Sequence, residues 1–133
     1  MFTLEQINEI HDQFGRADTL PEYLQTLKSI GVRKYDAFIF DGHSEYFGEN
    51  GFSVISPPVH SVLAVAETSN QRKFFEHLEL HKQQKTSYLE MSKGLADSGV
   101  KKWTFDTIQM TLTYYDKVGN EMLTEAILKN IEK

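Results

Sequence analysis

Asp41, His43 and Glu45 alternate along the stretch DGHSEYFG, and together they suggest acid–base work. The same residues also suit a hairpin turn, which needs polar side chains and glycine whatever the protein does. No nucleophile motif, phosphate loop or telling second carboxylate accompanies them. A second group is His77 and His81, spaced four apart as a helix would place two metal-binding imidazoles. No glutamate follows His77, so the metalloprotease signature is missing, and nothing specifies a third ligand. The expectation is a boundary histidine at 81, a solvated one at 77 and no metal. The third group is aromatic: Tyr35, Tyr46, Phe47, Trp103, Tyr114 and Tyr115. They could stack bases, but at strand spacing large aromatics more often build a core.

Composition narrows the classes. At 133 residues, 40% hydrophobic and 25% charged, the chain reads as one domain, 1–133, with enough length for a core. A net charge of −5 argues against phosphate neutralisation, so no nucleic-acid partner is expected. There is no cysteine, hence no disulfide, thiolate nucleophile or cysteine metal cage, which suits the cytoplasm. The longest apolar run, Val62–Ala66, is far too short to cross a bilayer, and the N-terminus shows no basic region or apolar signal core. No cofactor and no membrane partner are expected.

The elements that would position these residues can be read in order. Thr3 with Gln6 forms a capping box beside a Phe2–Ile7 staple, predicting a helix over Leu4–Phe14 that stops at Gly15. Thr19 with Glu22 predicts a second helix, with Leu20, Tyr23, Leu24, Leu27 and Ile30 on its apolar face and Gly31 as its stop. Strands are expected at Val32–Phe40, Ser44–Phe47 and Phe52–Ser56, the last ended by Pro57-Pro58. Val59–Ala66 fits a short strand or an extended crossover. A third helix is expected over Gln71–Gln84 with Phe74, Phe75 and Leu78 inward, and a fourth from the Ser87/Glu90 capping box to Ser98. Strands at Val100–Asp106, Gln109–Tyr115 and Glu121–Thr124 follow. Glu125–Lys133 reads as a short polar helix or a frayed tail.

The second half echoes the first at a constant offset. GVRKYDAFIFDGHSEYFGENG, from Gly31, returns sixty-eight positions later as GVKKWTFDTIQMTLTYYDKVG. Glu22, Leu27, Gly31, Val32, Lys34, Tyr46 and Gly51 are identical to their counterparts. A capping box, a stop glycine, an aromatic strand and a turn glycine at one offset point to a duplication, with pseudo-repeats at about 3–66 and 70–128. Neither half has strands enough for a stable sheet. The expected fold is therefore α+β: internally duplicated helix-helix-strand-strand units sharing one mainly antiparallel sheet, with helices packed on one face.

MFTLEQI, DGHSEYFG, SPP, HKQQKTSYL, GVKKWTFD and MTLTYYDKVGNEML, in that order, resemble the YbcV/YdfO-like family. These are small bacterial and prophage-borne proteins of unknown function, some labelled phage envelope protein. The resemblance covers nearly the whole chain, except that Glu125–Lys133 looks longer and more helical than the family's ends. It implies a compact α+β domain, and it brings no established activity or site.

The offset yields one sharper expectation. Met110 aligns with Gly42 and Leu112 with Ser44, so the first half lacks two large side chains. If the register holds, a hollow opens beside Gly42 and Ser44, and concave sites with a few polar groups are where ligands bind. A first turn of different length would slip the register and leave no hollow, which is the simpler alternative. Any small-molecule site is expected along Asp41, His43, Ser44 and Tyr46, with His43 the main contact and His81 second. Two functional classes stand. The preferred one is a non-enzymatic binding or interaction protein of the cytoplasm, of prophage origin, whose partner is an unknown small molecule or protein. The other is a small enzyme working near Asp41-Gly42-His43.

Overall fold

The computed structural model describes residues 2–14, 19–83, 85 and 87–127. Four helices, α1 (Leu4–Phe14), α2 (Leu20–Ser29), α3 (Gln71–Lys82) and α4 (Tyr88–Asp97), accompany six strands. These are β1 (Lys34–Phe38), β2 (Ser44–Phe47), β3 (Ser53–Ile55), β4 (Val100–Asp106), β5 (Thr111–Asp116) and β6 (Glu121–Ala126). They form one sheet in the order β3-β2-β1-β4-β5-β6, antiparallel at every junction. The fold class is α+β. The expected stop at Gly15 lies outside the described residues, as does most of the helix or tail expected over Glu125–Lys133; Glu125 and Ala126 instead extend β6, where they pair with Leu112 and Thr111.

Local chemistry explains most boundaries. At α1, the Thr3 amide donates to Gln6 Oε1 and the Gln6 amide donates to Thr3 Oγ1, at 2.8 and 3.2 Å. The Ser87/Glu90 box forms at α4 in the same reciprocal way. The one expected at α2 does not form. Thr19 instead donates its hydroxyl to Phe14 O at 2.7 Å, and Glu22 Oε1 is buried without a hydrogen-bond partner among the described residues. The end of the preceding helix outcompetes the cap. Gly31 ends α2 at a φ of 106°, a left-handed conformation that costs a side-chain-bearing residue more. Val59–Ala66 is irregular and forms no strand.

Alternation along the strands divides the sheet into two faces. Tyr35, Tyr46, Trp103, Phe105, Leu112 and Tyr114 point to one face and meet the helices. There, α1 and α2 contribute Ile7, Ile10, Leu24 and Leu27 to one cluster, and α3 and α4 contribute Phe74, Leu78, Met91 and Leu95 to the other. Lys34, Asp36, Phe38, Lys102, Thr104 and Tyr115 alternate onto the opposite face, which belongs to neither cluster. Trp103 and Leu112 touch both clusters and tie them together.

Several positions sixty-eight apart take matching places in the strands and helices. Leu20 opens α2 and Tyr88 opens α4. Tyr35 pairs with Tyr46 as Trp103 pairs with Tyr114, and Ala37 with Ser44 as Phe105 with Leu112. The two hairpins therefore share a register, and the first turn introduces no slip. Gly42 and Met110 both take positive φ, 78° and 58°, so Met110 sits in a turn rather than inside β5.

Two core expectations need correction. Phe75 is 45% exposed, while Phe74 and Leu78 are buried. Ile7, the position sixty-eight before Phe75, is buried, so α3 turns a different stripe to the sheet than α1 does. Trp103 is only partly buried, because it spans the seam between the two clusters rather than the middle of either. Urea denaturation should show Leu27→Ala and Leu95→Ala each losing about 2–5 kcal/mol, and Phe75→Ala well under half of that. Equal losses for Phe75→Ala and Leu95→Ala would contradict this placement of α3.

Candidate ligand site on the open face of the sheet

The residues expected at one site are distributed over three places. Asp41 and His43 come together in the β1–β2 connection. The His43 amide donates to Asp41 Oδ1 at 3.0 Å, and His43 Nδ1 lies 2.5 Å from the same oxygen. The His43 ring stacks on Phe38 with centroids 4.5 Å apart and planes 8° from parallel, and Phe40 meets its edge. Tyr46 lies elsewhere, buried on the helix-covered face, stacked on Tyr35 at 4.8 Å. Ser44, two residues before Tyr46, alternates onto that same face and pairs with Ser56 through its backbone. His81 sits on α3, partly buried, with Nδ1 lacking a hydrogen-bond partner among the described residues. Burial lowers the His81 pKa, because desolvation disfavours the charged ring.

The space expected as a hollow is occupied. A Cβ at Gly42 would collide with Val59 and the His60 ring, and the Val59 and His60 amides both donate to Asp41 O, at 2.9 and 3.2 Å. The crossover after β3 folds back over the turn and supplies the volume that Met110 supplies in the other half. Register alone could not reveal this, since Val59 and His60 lie outside the aligned turn. His77 is likewise not a solvated residue. Its ring lies over Gly94 of α4, where a methyl group would clash with it. Among the described residues no group of three or more His, Asp or Glu side chains is placed to hold a metal ion.

Asp41 is poised electrostatically. Burial pushes its pKa up, but the hydrogen bonds from the His43 amide and ring, with the charges of His43 and His60, outweigh that and hold it below the ordinary 3.8. The lowered pKa means that the folded state favours the carboxylate.

The face away from the helices carries a polar row that sequence reasoning missed. Asp36, 5% exposed, accepts from Lys102 Nζ at 3.2 Å and from Thr104 Oγ1 at 2.6 Å. Lys102 Nζ also lies 5.7 Å from the Phe38 ring centroid and 5.5 Å from that of Tyr115. Phe38 thus links His43 to Lys102, and Lys102 links Phe38 to Asp36 and Tyr115. Beside this row a concavity of about 330 Å³ opens between β1, β4 and the β5–β6 turn. A sequence signal was available. Asp36 and Thr104 stand sixty-eight apart and face each other across β1 and β4, so equivalent positions on two central antiparallel strands meet. A larger recess, about 440 Å³, lies at the far end of β1, beside Phe2, Phe52 and Arg33.

Comparison with known proteins bears on residues 8–126, which match the model of a protein family of unknown function, DUF1398. The chain belongs to the DUF1398 family. That membership assigns no activity. No curated protein matches the chain. No helix among the described residues is long and apolar enough to cross a membrane.

Two outcomes check the turn. Gly42→Ala should destabilise the protein by about 2 kcal/mol or more, from positive-φ strain plus the clash with Val59. A depressed carboxylate pKa stabilises above its unfolded value, and the gain is lost as pH falls through the folded value. The stability gap between wild type and Asp41→Asn should therefore be full near neutrality and shrink below pH 3.8 in denaturant titrations. A gap independent of pH would remove the electrostatic account.

Proposed function

We propose that this DUF1398 protein is a non-enzymatic binding module of the cytoplasm that takes its ligand on the face of the sheet that none of the four described helices covers. The observation that carries the reading is the row His43–Phe38–Lys102–Asp36, with a concavity of about 330 Å³ beside it. An antiparallel sheet with one solvated face ordinarily shows simple polar alternation. This one holds a buried carboxylate, stacked rings and a lysine within mutual reach, and such convergence is characteristic of ligand sites. Within the reading, His43 is the contact residue at the turn, Asp41 fixes its ring, and Ser44 and Tyr46 support the strand from the other face. His81 has no part in this face.

The absence of cysteine supports the cytoplasm, and the resemblance to the YbcV/YdfO-like family supports a prophage origin. The shared register and matching elements support descent from a duplicated unit, with copies at about 3–66 and 70–128. One observation favours the second reading, an enzyme acting at the turn. Asp41 engages His43 Nδ1, which leaves Nε2 as the nitrogen available to move a proton.

A metabolite library screened by thermal shift should return compounds whose binding perturbs the backbone amides of Phe38, Lys102 and Tyr115. Tyr115→Ala should weaken them. Hits that map to the helical face would overturn the reading. Turnover of a hit that disappears in His43→Ala would replace it with the enzymatic one.

A further inference from the structure

Resting on that placement of the site, we infer that the ligand is a small organic anion, bearing carboxylate or phosphate, held in the concavity between β1, β4 and the β5–β6 turn. Lys34, Lys101, Lys102 and Lys117 all line it, in a protein whose net charge is −5. The lining carboxylates are already engaged. Asp36 is taken up by Lys102 and Thr104. Asp116 is 6% exposed and accepts from the amides of Val118 and Asn120 and from the Asn120 side chain. Neither aims a free oxygen at a ligand, so neither repels an anion at full strength.

The lysines are not equally engaged. Lys117 pairs with Glu67 at the rim, and Lys102 with Asp36 at the floor. Among the described residues no carboxylate pairs with Lys34 or Lys101. Lys34 Nζ lies 5.1 Å from the Phe47 ring centroid on β2, a contact that leaves its charge in place. Four lysines line the concavity against two carboxylates, Asp36 and Asp116, with Glu67 at the rim, and this positive excess inside an acidic molecule concentrates anions from solution. Tyr115, with its ring against Lys102, supplies a flat wall for the ligand's carbon skeleton. The volume suits a metabolite rather than a polymer, and the acidic balance elsewhere disfavours a nucleic-acid backbone.

The test titrates the full chain with citrate and, separately, with inorganic phosphate, at ionic strength held constant with sodium chloride, following backbone amides by NMR. Saturable shifts at Lys101, Lys102 and Tyr115–Gly119 are expected with at least one anion. The double variant Lys34→Gln/Lys101→Gln should bind roughly tenfold or more weakly, as loss of charge-assisted hydrogen bonds implies. Its thermal midpoint without anion should match the wild type, since neither lysine holds a structural carboxylate. Saturation by citrate with no response to phosphate assigns a carboxylate ligand, and the reverse a phosphate. Absence of saturable shifts with both anions, or equal affinity in the double variant, overturns the inference. A neutral library compound that perturbs these amides when the anions do not leaves the open-face site standing and removes only its charge preference. If no compound perturbs them, both fall.

Discussion

The pairing of β1 with β4 is the contact on which everything else depends. Each half of the chain supplies three strands, and each helical cluster takes buried residues from both halves, Phe105 in the first and Ile39 in the second. Joined along Lys34–Phe38 and Lys102–Asp106, the halves make one sheet, and the helical pairs then lie side by side on a continuous surface. The seam is filled by Trp103 and Leu112, which belong to both clusters. The same pairing sets Asp36 against Thr104 and Phe38 against Lys102, so the polar row on the other face exists only because the halves meet there. The core and the proposed site are the two sides of one junction.

Most of the architecture was legible because it is written in local signals. Capping boxes at Thr3 and Ser87, the left-handed stop at Gly31 and strict alternation from Tyr35 to Ala37 and from Leu112 to Tyr114 each specify their element without help from the rest of the chain. The offset of sixty-eight added the partnership of the halves. Where local signals conflicted with tertiary ones, the tertiary ones won. Thr19 could cap α2, yet its hydroxyl closes Phe14 O. Phe75 has the right type for the core, but α3 docks on Phe74 and Leu78, and Phe75 falls one residue round the wheel.

The site was less legible because its parts come from distant segments. His43 and Asp41 are neighbours in sequence and were found together. Val59 and His60, which close the space over Gly42, come from a crossover with no periodic pattern to place it. Asp36 and Lys102 are sixty-six residues apart, and only the strand register brings them within 3.2 Å. A charged residue in the middle of a strand reads from sequence as ordinary solvent-facing alternation. Its burial to 5% follows from the long side chains that gather around it on the open face.

Trp103 is the chain's sole tryptophan, and it sits where the two helical clusters touch. Its indole has Tyr114 at its edge, 6.1 Å between centroids. Indole emission responds to the polarity and closeness of its surroundings. In this protein it therefore reports the packing of the second half around it and, through the shared cluster, the closing of the seam. A chain with both helical pairs formed but the halves apart would keep its helical circular dichroism and show the emission of a wetter tryptophan. The chain thus carries its single indole at a position that both clusters share.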